Sequence, residues 1–114
     1  MADDCIFCGV RDGNVPGDLI YKDDNCFVIR DIAPHAPVHL LVIPNLHFTF
    51  LSGLTSEHHD MVGGMYQTAH EVAKTEGLVD SGYRLVVNQG ADAGQVVDHL
   101  HMHVLGGRTL QDMG

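Results

Sequence analysis

Histidine occupies every second position in one short stretch of this chain, at His99, His101 and His103. The positions between and after them are apolar: Leu100, Met102, Val104 and Leu105. Successive side chains of a β-strand point to opposite faces, so this spacing places the three imidazoles on one face and the intervening apolar side chains on the other. A helix would distribute both kinds of residue around its circumference. We therefore predict a strand over residues 96–105, with a functional site on its histidine face because imidazoles are costly to bury without partners.

Turn residues and hydrophobic periodicity predict four more strands and two helices. The strands are expected at residues 19–22, 26–30, 39–43 and 83–88. A short helix, capped by Asp3 or Asp4, is expected to end near Arg11, and a long helix to run from residue 55 or 56 to about residue 76. The long helix has an apolar stripe at i, i+3, i+4 spacing: Val62, Met65, Tyr66, Ala69, Val72 and Ala73. Five strands with one central helix predict an α+β fold with an antiparallel sheet.

The composition indicates one folded domain over residues 1–114. Apolar residues make up 45% of the chain and charged residues 18%, a balance typical of a globular protein rather than a disordered one. The net charge of −9 argues against nucleic acid as a partner, because clustered Lys and Arg dominate such binding. The sequence shows no signal peptide and no apolar run of membrane-spanning length, so we expect a cytoplasmic protein without a membrane partner.

The chain has three cysteines, and this odd number does not indicate a disulfide framework. Cys5 and Cys8 have C-x-x-C spacing, which fits either two sulfur ligands for one metal ion or a redox pair. The redox interpretation expects the pair after a strand of a βαβ unit, whereas this pair lies at the start of the sequence. Cys26 is expected to be a buried residue of its strand.

A glycine-rich loop, residues 89–94, leads into the histidine strand. Glycines allow backbone N–H groups to approach a phosphate closely, and neutral imidazole is a nucleophile, a proton carrier and a metal ligand near neutral pH. Together they indicate phosphoryl or nucleotidyl transfer with histidine as the attacking group. The alternative is a metal-binding histidine cluster. Three alternate residues of a strand span about 13 Å, which is long for three ligands of one ion, so at least one histidine is free for another role.

Residues 95–108, QVVDHLHMHVLGGR, resemble the signature of the histidine-triad (HIT) family. Upstream segments resemble the Hint branch of that family in the same order: residues 6–7, 23–24, 31–34, 36–39, 42–44, 47 and 84–88. The resemblance therefore extends over nearly the whole chain. It implies a homodimer whose protomers contain a five-stranded antiparallel sheet with one long and one short helix.

The same resemblance implies an activity. Hint-like proteins bind purine nucleotides and hydrolyse purine nucleoside 5′-phosphoramidates to a nucleoside monophosphate and an amine, through a nucleotidyl-histidine. Two alternatives stay open: a dinucleoside polyphosphate hydrolase of the same family, and a non-catalytic zinc-containing adaptor that binds nucleotides. The nucleotidylyltransferase branch carries Gln at the third histidine position, so His103 argues against it. No organic cofactor is expected.

The resemblance also implies roles for individual residues. His101 is the nucleophile, His103 contacts the phosphate oxygens and the leaving group, His39 takes part in the proton network, and His99 completes the catalytic set. Because His101 must be neutral to attack, activity is expected to fall in acid. Asp31 binds the ribose hydroxyls. The phosphate is lined by Asn88, Gly94, Gln95 and Val96, and the apolar slot for the base is formed by Ile6, Phe7, Val10, Ile29 and Ile32.

Some members with an N-terminal C-x-x-C pair bind structural zinc, and the ligands implied here are Cys5, Cys8, His47 and His99. Two thiolates and two neutral imidazoles give a zinc site with a net charge of zero. Two positions depart from the Hint pattern, which commonly has Ser at Val96 and an aromatic residue at Asp98. The remaining histidines are expected to be surface residues: His35, His58, His59 and His70. For His70 a subunit interface is the alternative, and His35 lies near enough to Asp31 for contact with a ligand.

Overall fold

The computed structural model describes residues 5–113 of the chain. Its helices are α1 (Ile6–Arg11) and α2 (His59–Thr75), and its strands are β1 (Leu19–Lys22), β2 (Cys26–Arg30), β3 (Val38–Pro44), β4 (Tyr83–Val86) and β5 (Met102–Gly106). Single 3₁₀ turns lie at Leu51–Gly53, Ser56–His58 and Ala91–Ala93. The strands form one antiparallel sheet in the order β1-β2-β3-β5-β4. The expected α+β fold, with five antiparallel strands, one long helix and one short helix, is confirmed.

The β1–β2 hairpin is closed by the side chain of Asp23. Its carboxylate accepts the backbone N–H groups of Asn25 and Cys26 at 2.7 and 2.8 Å. An aspartate used in this way replaces backbone hydrogen bonds in a tight turn. Both strands of this hairpin, β1 and β2, have the bounds that the sequence predicts.

The sheet has two differently packed faces because side chains alternate along each strand. One face packs against α2, and its core includes Val28, Leu40, Val42, Met102 and Val104 together with the helix residues Met65, Ala69, Val72 and Ala73. The opposite face carries a smaller apolar cluster of Phe7, Phe27, Ile29, Leu41 and Ile43. Tyr66 of the predicted helix stripe stays 53% exposed. No helix within residues 5–113 combines the length and hydropathy needed to cross a membrane.

The histidine strand is shorter than the sequence predicts, because β5 begins at Met102 and not at residue 96. β5 pairs with β3 only as far as Met102 opposite Val42, and β3 ends two residues later at Pro44. Proline has no N–H to donate, and the Pro44 carbonyl lies 2.9 Å from the ring Nε2 of His99, so the ladder does not continue. The N–H of Leu100 instead donates to the carbonyl of Phe48, outside the sheet, at 2.7 Å.

Other boundaries differ by smaller amounts. β4 ends at Val86 rather than at residue 88, because Val86 already faces His103 near the start of β5. α2 begins at His59, since residues 56–58 form a 3₁₀ turn capped by Thr55. α1 is capped by the sulfur of Cys5. The two predicted capping residues, Asp3 and Asp4, lie outside the described residues.

Candidate functional site

All three histidines lie on the sheet face opposite α2, although two of them precede the strand. Leu100, Met102 and Val104 are buried in the core beneath α2. His99 and His101 are buried, and His103 is half-buried. Alternation of side chains therefore continues through residues 99–101 without a regular strand, and the predicted histidine face exists.

A cavity of about 320 Å³ opens on this face. Eight of the predicted site residues line it: Phe7, Asp31, His39, Asn88, Gly94, Val96, His101 and His103. Its other wall residues are His35, Leu41, Val86, Val97 and Leu105. A larger cavity of about 870 Å³ lies between α2 and the β1–β2 hairpin, but no histidine or cysteine lines it. Because imidazoles, the nucleophilic side chains at issue, line only the smaller of the two, we assign the chemistry to the histidine cavity.

His101 presents an unprotonated nitrogen to the cavity. Its Nδ1 lies 2.7 Å from the carbonyl oxygen of His99. A carbonyl only accepts hydrogen bonds, so Nδ1 carries the proton and the lone pair of the neutral ring is on Nε2. The ring also packs edge-on against Phe7, with the centroids 5.0 Å apart. Both contacts fix the direction in which Nε2 can act as a nucleophile.

His103, His39 and Asp31 form a connected group beside His101. The Nε2 of His39 lies 2.8 Å from Nδ1 of His103 and 3.5 Å from a carboxylate oxygen of Asp31. Within residues 5–113, Nε2 of His103 is buried without a hydrogen-bond partner. Burial lowers the pKa of His103 to about 4, helped by the neighbouring imidazoles of His101, His39 and His35 and opposed by Asp31. Burial also lowers the pKa of His39. Both rings are therefore neutral near pH 7.

The lowered pKa of His103 predicts a loss of stability in mild acid. An unfolded histidine binds a proton below about pH 6.5, whereas folded His103 does so only near pH 4. The free energy of unfolding therefore falls as the pH falls through this window, and is unaffected by His103 above it. For this partly exposed ring we expect roughly 1 kcal/mol between pH 7 and pH 5. Urea unfolding at the two pH values measures this free energy, which should fall less from pH 7 to pH 5 in His103→Gln than in the wild type.

The matched control for that experiment is His59→Gln, because His59 is exposed at the start of α2 and outside the cavity. His59→Gln should retain the wild-type difference between pH 7 and pH 5. An equal pH dependence in wild type and His103→Gln would contradict the assignment of this loss to His103.

Four potential metal ligands meet beside the cavity, as the resemblance implied: Cys5, Cys8, His47 and His99. The Nδ1 atoms of His47 and His99 are 3.1 Å apart, and Cys8 Sγ lies 3.2 Å from the first and 3.6 Å from the second. Cys5 Sγ lies 3.3 Å from Nδ1 of His99. Tetrahedral zinc with N and S ligands requires separations of about 3.3 to 3.8 Å, so the four atoms fit zinc with only small adjustments.

His99 is prepared for a metal by its second ring nitrogen. Nε2 donates to the Pro44 carbonyl at 2.9 Å, which leaves the lone pair on Nδ1, the atom that faces the two sulfurs. Burial lowers the pKa of His99 to about 4, so the ring stays neutral as a ligand must. Burial also raises the pKa of the Cys8 thiol, and a bound cation would favour its thiolate.

Five predicted nucleotide-binding residues do not line the cavity. Val10 and Ile29 pack in the apolar cluster that includes Phe7, and Ile6 is about half exposed. Ile32 is 96% exposed and is not among the residues that line the cavity. The side chain of Gln95 bends back into its own loop, where its oxygen accepts the Gly90 N–H at 2.8 Å.

Several wall residues were missing from the sequence prediction. Leu41 could have been found from the strand pattern, because residues 39, 41 and 43 share one face of a predicted strand. His35 was noted only for its nearness to Asp31, and the structure places it in the cavity wall. Val97 belongs to the irregular segment before β5, residues 96–101, and sequence periodicity did not predict which way its side chain points.

Comparison with known proteins identifies relatives over nearly the full chain. The sequence profile of the HIT domain family matches residues 12–110. A purine nucleoside phosphoramidase of Escherichia coli (strain K12) is 41% identical over 113 residues, covering 99% of this chain and 95% of the relative. The crystal structure of a HIT family hydrolase from Legionella pneumophila Philadelphia 1 has a TM-score of 0.92 and 37% identity, covering 95% of this chain and 96% of that one.

A second solved structure bears on the metal centre. A Zn-bound histidine triad family protein from Mycobacterium smegmatis has a TM-score of 0.82 and 32% sequence identity. The match covers 95% of this chain and 78% of that chain. This chain is thus similar in fold to a protein of the same family that holds zinc.

Proposed function

This chain belongs to the HIT domain family, and on that premise we propose that it hydrolyses purine nucleoside 5′-phosphoramidates to a nucleoside monophosphate and an amine. The observation that carries the proposal is the ring of His101, which lines the cavity and whose Nδ1 lies 2.7 Å from the His99 carbonyl, so that Nδ1 holds the proton and the Nε2 lone pair is free. The identity to a purine nucleoside phosphoramidase supports the same substrate class. We also propose that residues 1–114 form a single HIT domain.

The first step is attack of His101 Nε2 on the α-phosphorus. The new N–P bond forms as the P–N bond to the amine breaks, and the amine leaves with its electron pair and takes up a proton. The resulting nucleotidyl-histidine carries a positive charge on the ring. Its Nδ1–H remains bound to the His99 carbonyl, which stabilises that charge. In the second step water attacks phosphorus and the N–P bond to His101 breaks, and the proton that water gives up replaces the one that the amine took up. The nucleotide and neutral His101 are then released.

The phosphoryl oxygens need hydrogen-bond donors as negative charge develops in the transition state. Within residues 5–113, the backbone N–H groups of Val96 and Val97 donate to no protein acceptor, and both residues line the cavity. Nε2 of His103 is likewise without a partner. Gly90 and Gly94 adopt positive φ angles of 88° and 85°, which only glycine adopts without strain, and so shape the loop that presents these groups.

Asp31 and Phe7 are the proposed contacts for the nucleoside. One oxygen of Asp31 accepts the Ala33 N–H at 2.8 Å, and the carboxylate retains acceptor capacity for two ribose hydroxyls. Phe7 forms the apolar wall against which a base can pack, with Ile29 and Val10 supporting it from behind. Gln95 acts through the shape of the glycine-rich loop rather than through direct contact with the phosphate.

We propose that Cys5, Cys8, His47 and His99 hold one structural zinc ion. When bound, the ion supplies a fixed link between α1 and the irregular segment that leads to His101, and its positive charge favours the thiolate form of both cysteines. The chain's own residues perform the chemistry. Cys5, Cys8 and His47 would maintain the position of His99 by sharing the site with it, and the His99 carbonyl in turn orients His101.

We propose that the protein forms a homodimer and is cytoplasmic. β4 is an edge strand of the sheet, and an edge strand offers unpaired backbone groups to a second chain. Tyr66 of α2 is 53% exposed, and His70 of α2 contacts Tyr83 of β4. These aromatic side chains flank the β4 edge. The use of two cysteines as proposed metal ligands and of the third, Cys26, as a buried residue of β2 is consistent with a reducing compartment.

The test of the proposed function is release of AMP from adenosine 5′-phosphoramidate, with diadenosine tetraphosphate assayed in parallel. We expect faster release from the phosphoramidate. Preference for the tetraphosphate would instead identify a dinucleoside polyphosphate hydrolase. AMP binding without release from either compound would identify a nucleotide-binding adaptor.

A further inference from the structure

We propose that the backbone N–H of His35 fixes the tautomer of His103, acting through His39, so that His103 presents a proton rather than a lone pair to the cavity. The proposal deepens the proposed function, because it assigns opposite chemical roles to the adjacent rings of His101 and His103. Its first test is spectroscopic and does not depend on the identity of the substrate.

The first link joins His35 to His39. The peptide N–H of His35 donates to Nδ1 of His39 at 3.0 Å. A peptide N–H can only donate, so Nδ1 of His39 must provide a lone pair. A neutral imidazole has one N–H, and in His39 that proton must therefore be on Nε2. Burial of His39 lowers its pKa and favours this neutral form.

The second link joins His39 to His103. With its proton on Nε2, His39 donates to Nδ1 of His103, 2.8 Å away. Nδ1 of His103 is then an acceptor, and the single proton of that neutral ring is on Nε2. This is the buried nitrogen that has no partner within residues 5–113. The chain of hydrogen bonds thus ends in an N–H of a cavity-wall residue that no acceptor within the described residues occupies, and we assign it to a phosphoryl oxygen or to the leaving nitrogen of a bound substrate.

The loop that carries the His35 peptide is itself anchored. Nη2 of Arg108 donates to the His35 carbonyl at 3.0 Å, and the N–H of Asp31 donates to the His39 carbonyl at 2.9 Å. Pro34 and Pro37 on either side of His35 restrict the backbone further. Arg108 is therefore a positioning residue, which acts on the cavity through the His35 peptide without contacting the ligand.

The two rings nearest the proposed phosphate consequently differ in chemistry. The His99 carbonyl makes His101 an Nδ1–H tautomer with a free lone pair, whereas the His35 N–H makes His103 an Nε2–H tautomer with a free donor. The backbone thereby sets a nucleophile and a donor side by side. Loss of the His99 carbonyl contact would release the tautomer that makes His101 a nucleophile. Loss of the His35 N–H contact would release the tautomer that makes His103 a donor.

The same tautomers argue against a second metal site. Asp31, His39 and His103 offer ligand atoms within 4.8 Å of one another, a spacing that could hold an ion. However, the His39 atom in this group is Nε2, which carries a proton as long as Nδ1 accepts from His35. A protonated nitrogen has no lone pair for a metal. We therefore assign this group to hydrogen bonding and not to metal binding.

The deciding experiment is ¹⁵N NMR of the histidine rings in the zinc-loaded wild-type protein near pH 7. We expect Nε2–H tautomers for His39 and His103 and an Nδ1–H tautomer for His101. An Nδ1–H tautomer at either His39 or His103 would overturn the proposal, whatever the activity of the protein. Conversely, correct tautomers without phosphoramidate cleavage would leave this inference intact and reject the proposed function.

Two substitutions at residue 35 separate the peptide from the side chain. His35→Ala keeps the N–H and is expected to keep both tautomers. His35→Pro removes the N–H and is expected to populate the other tautomer of His39 and to lower kcat at least tenfold with a smaller change in KM. Arg108→Ala, with Arg108→Lys as the conservative control, provides the same comparison without altering the peptide. Unchanged tautomers in Arg108→Ala would reject the role of Arg108.

Zinc titration tests the assignment of Asp31, His39 and His103 to hydrogen bonding, and should give one equivalent per chain. A second equivalent that is lost in His39→Ala would refute that assignment.

Discussion

Replacing His101 with alanine is expected to lower kcat for adenosine 5′-phosphoramidate by about 10⁴-fold or more. The covalent route requires an imidazole lone pair directed at phosphorus, and His101 is the cavity histidine whose Nε2 is unprotonated. His103 cannot substitute, because its cavity-facing nitrogen serves as a donor in the proposed arrangement. AMP release under single-turnover conditions measures the effect on the chemical step.

Binding should be largely preserved in the same variant. The donors proposed for the phosphate and the groups proposed for the nucleoside lie on other residues, so we expect the Kd for AMP to change by less than about tenfold, or 1.4 kcal/mol. His59→Ala is the matched control, because it removes an exposed histidine outside the cavity and should leave kcat unchanged. A His101→Ala protein that retains kcat within tenfold of the wild type would exclude a nucleotidyl-histidine and indicate direct attack by water.

The sequence predicted the histidine face for a reason more general than strand formation. Leu100 is 3% exposed and Met102 2%, so burial of every second side chain continues where regular pairing has stopped. The pattern reports which side chains meet the core. It does not report whether backbone hydrogen bonds run to a neighbouring strand, and for residues 96–101 they do not. This is why the face could be predicted and the beginning of β5 could not.

Contacts that depend on loop conformation were beyond the reach of the sequence. Val96 is 88% exposed at the mouth of the cavity, and the Gln95 side chain is turned into its own loop. Neither orientation follows from residue type, because the loop has no periodicity. The peptide of His35 is a stronger example: any residue other than proline supplies the same N–H, so no side-chain motif could indicate its role. Only the distance to His39 reveals it.

Zinc ligation was implied by the family resemblance, and the structure adds a physical reason for the choice of ligands. Cys5 and Cys8 occupy the cap and first turn of α1, so their spacing brings two sulfurs to one point. His99 turns one nitrogen to the Pro44 carbonyl and the other to the sulfurs. His47, which follows β3, completes the set. Residues far apart in sequence thus converge on a point that spacing alone could not locate.

Cys8→Ser is expected to abolish binding of the proposed structural zinc and to lower the free energy of unfolding by about 3 kcal/mol or more, because binding to a folded metal site contributes directly to folding. For a chain of this length that corresponds to a fall in Tm of roughly 10 °C or more. Thermal melts with and without a chelator, together with metal analysis, measure both effects. The wild type should lose stability on chelation, whereas Cys8→Ser should not respond.

Cys26→Ser provides the control for that measurement, because it makes the same exchange at another buried cysteine that lies under α2 and outside the metal cluster. It should retain one zinc and the full response to chelator. Since the proposed zinc ion would hold His99 without touching the proposed reacting atoms, the activity of Cys8→Ser measured well below its Tm should fall far less than that of His101→Ala. Loss of activity on chelation with no change in Tm would contradict a structural role for the ion, and would mean that the ion takes part in the chemistry rather than in the fold.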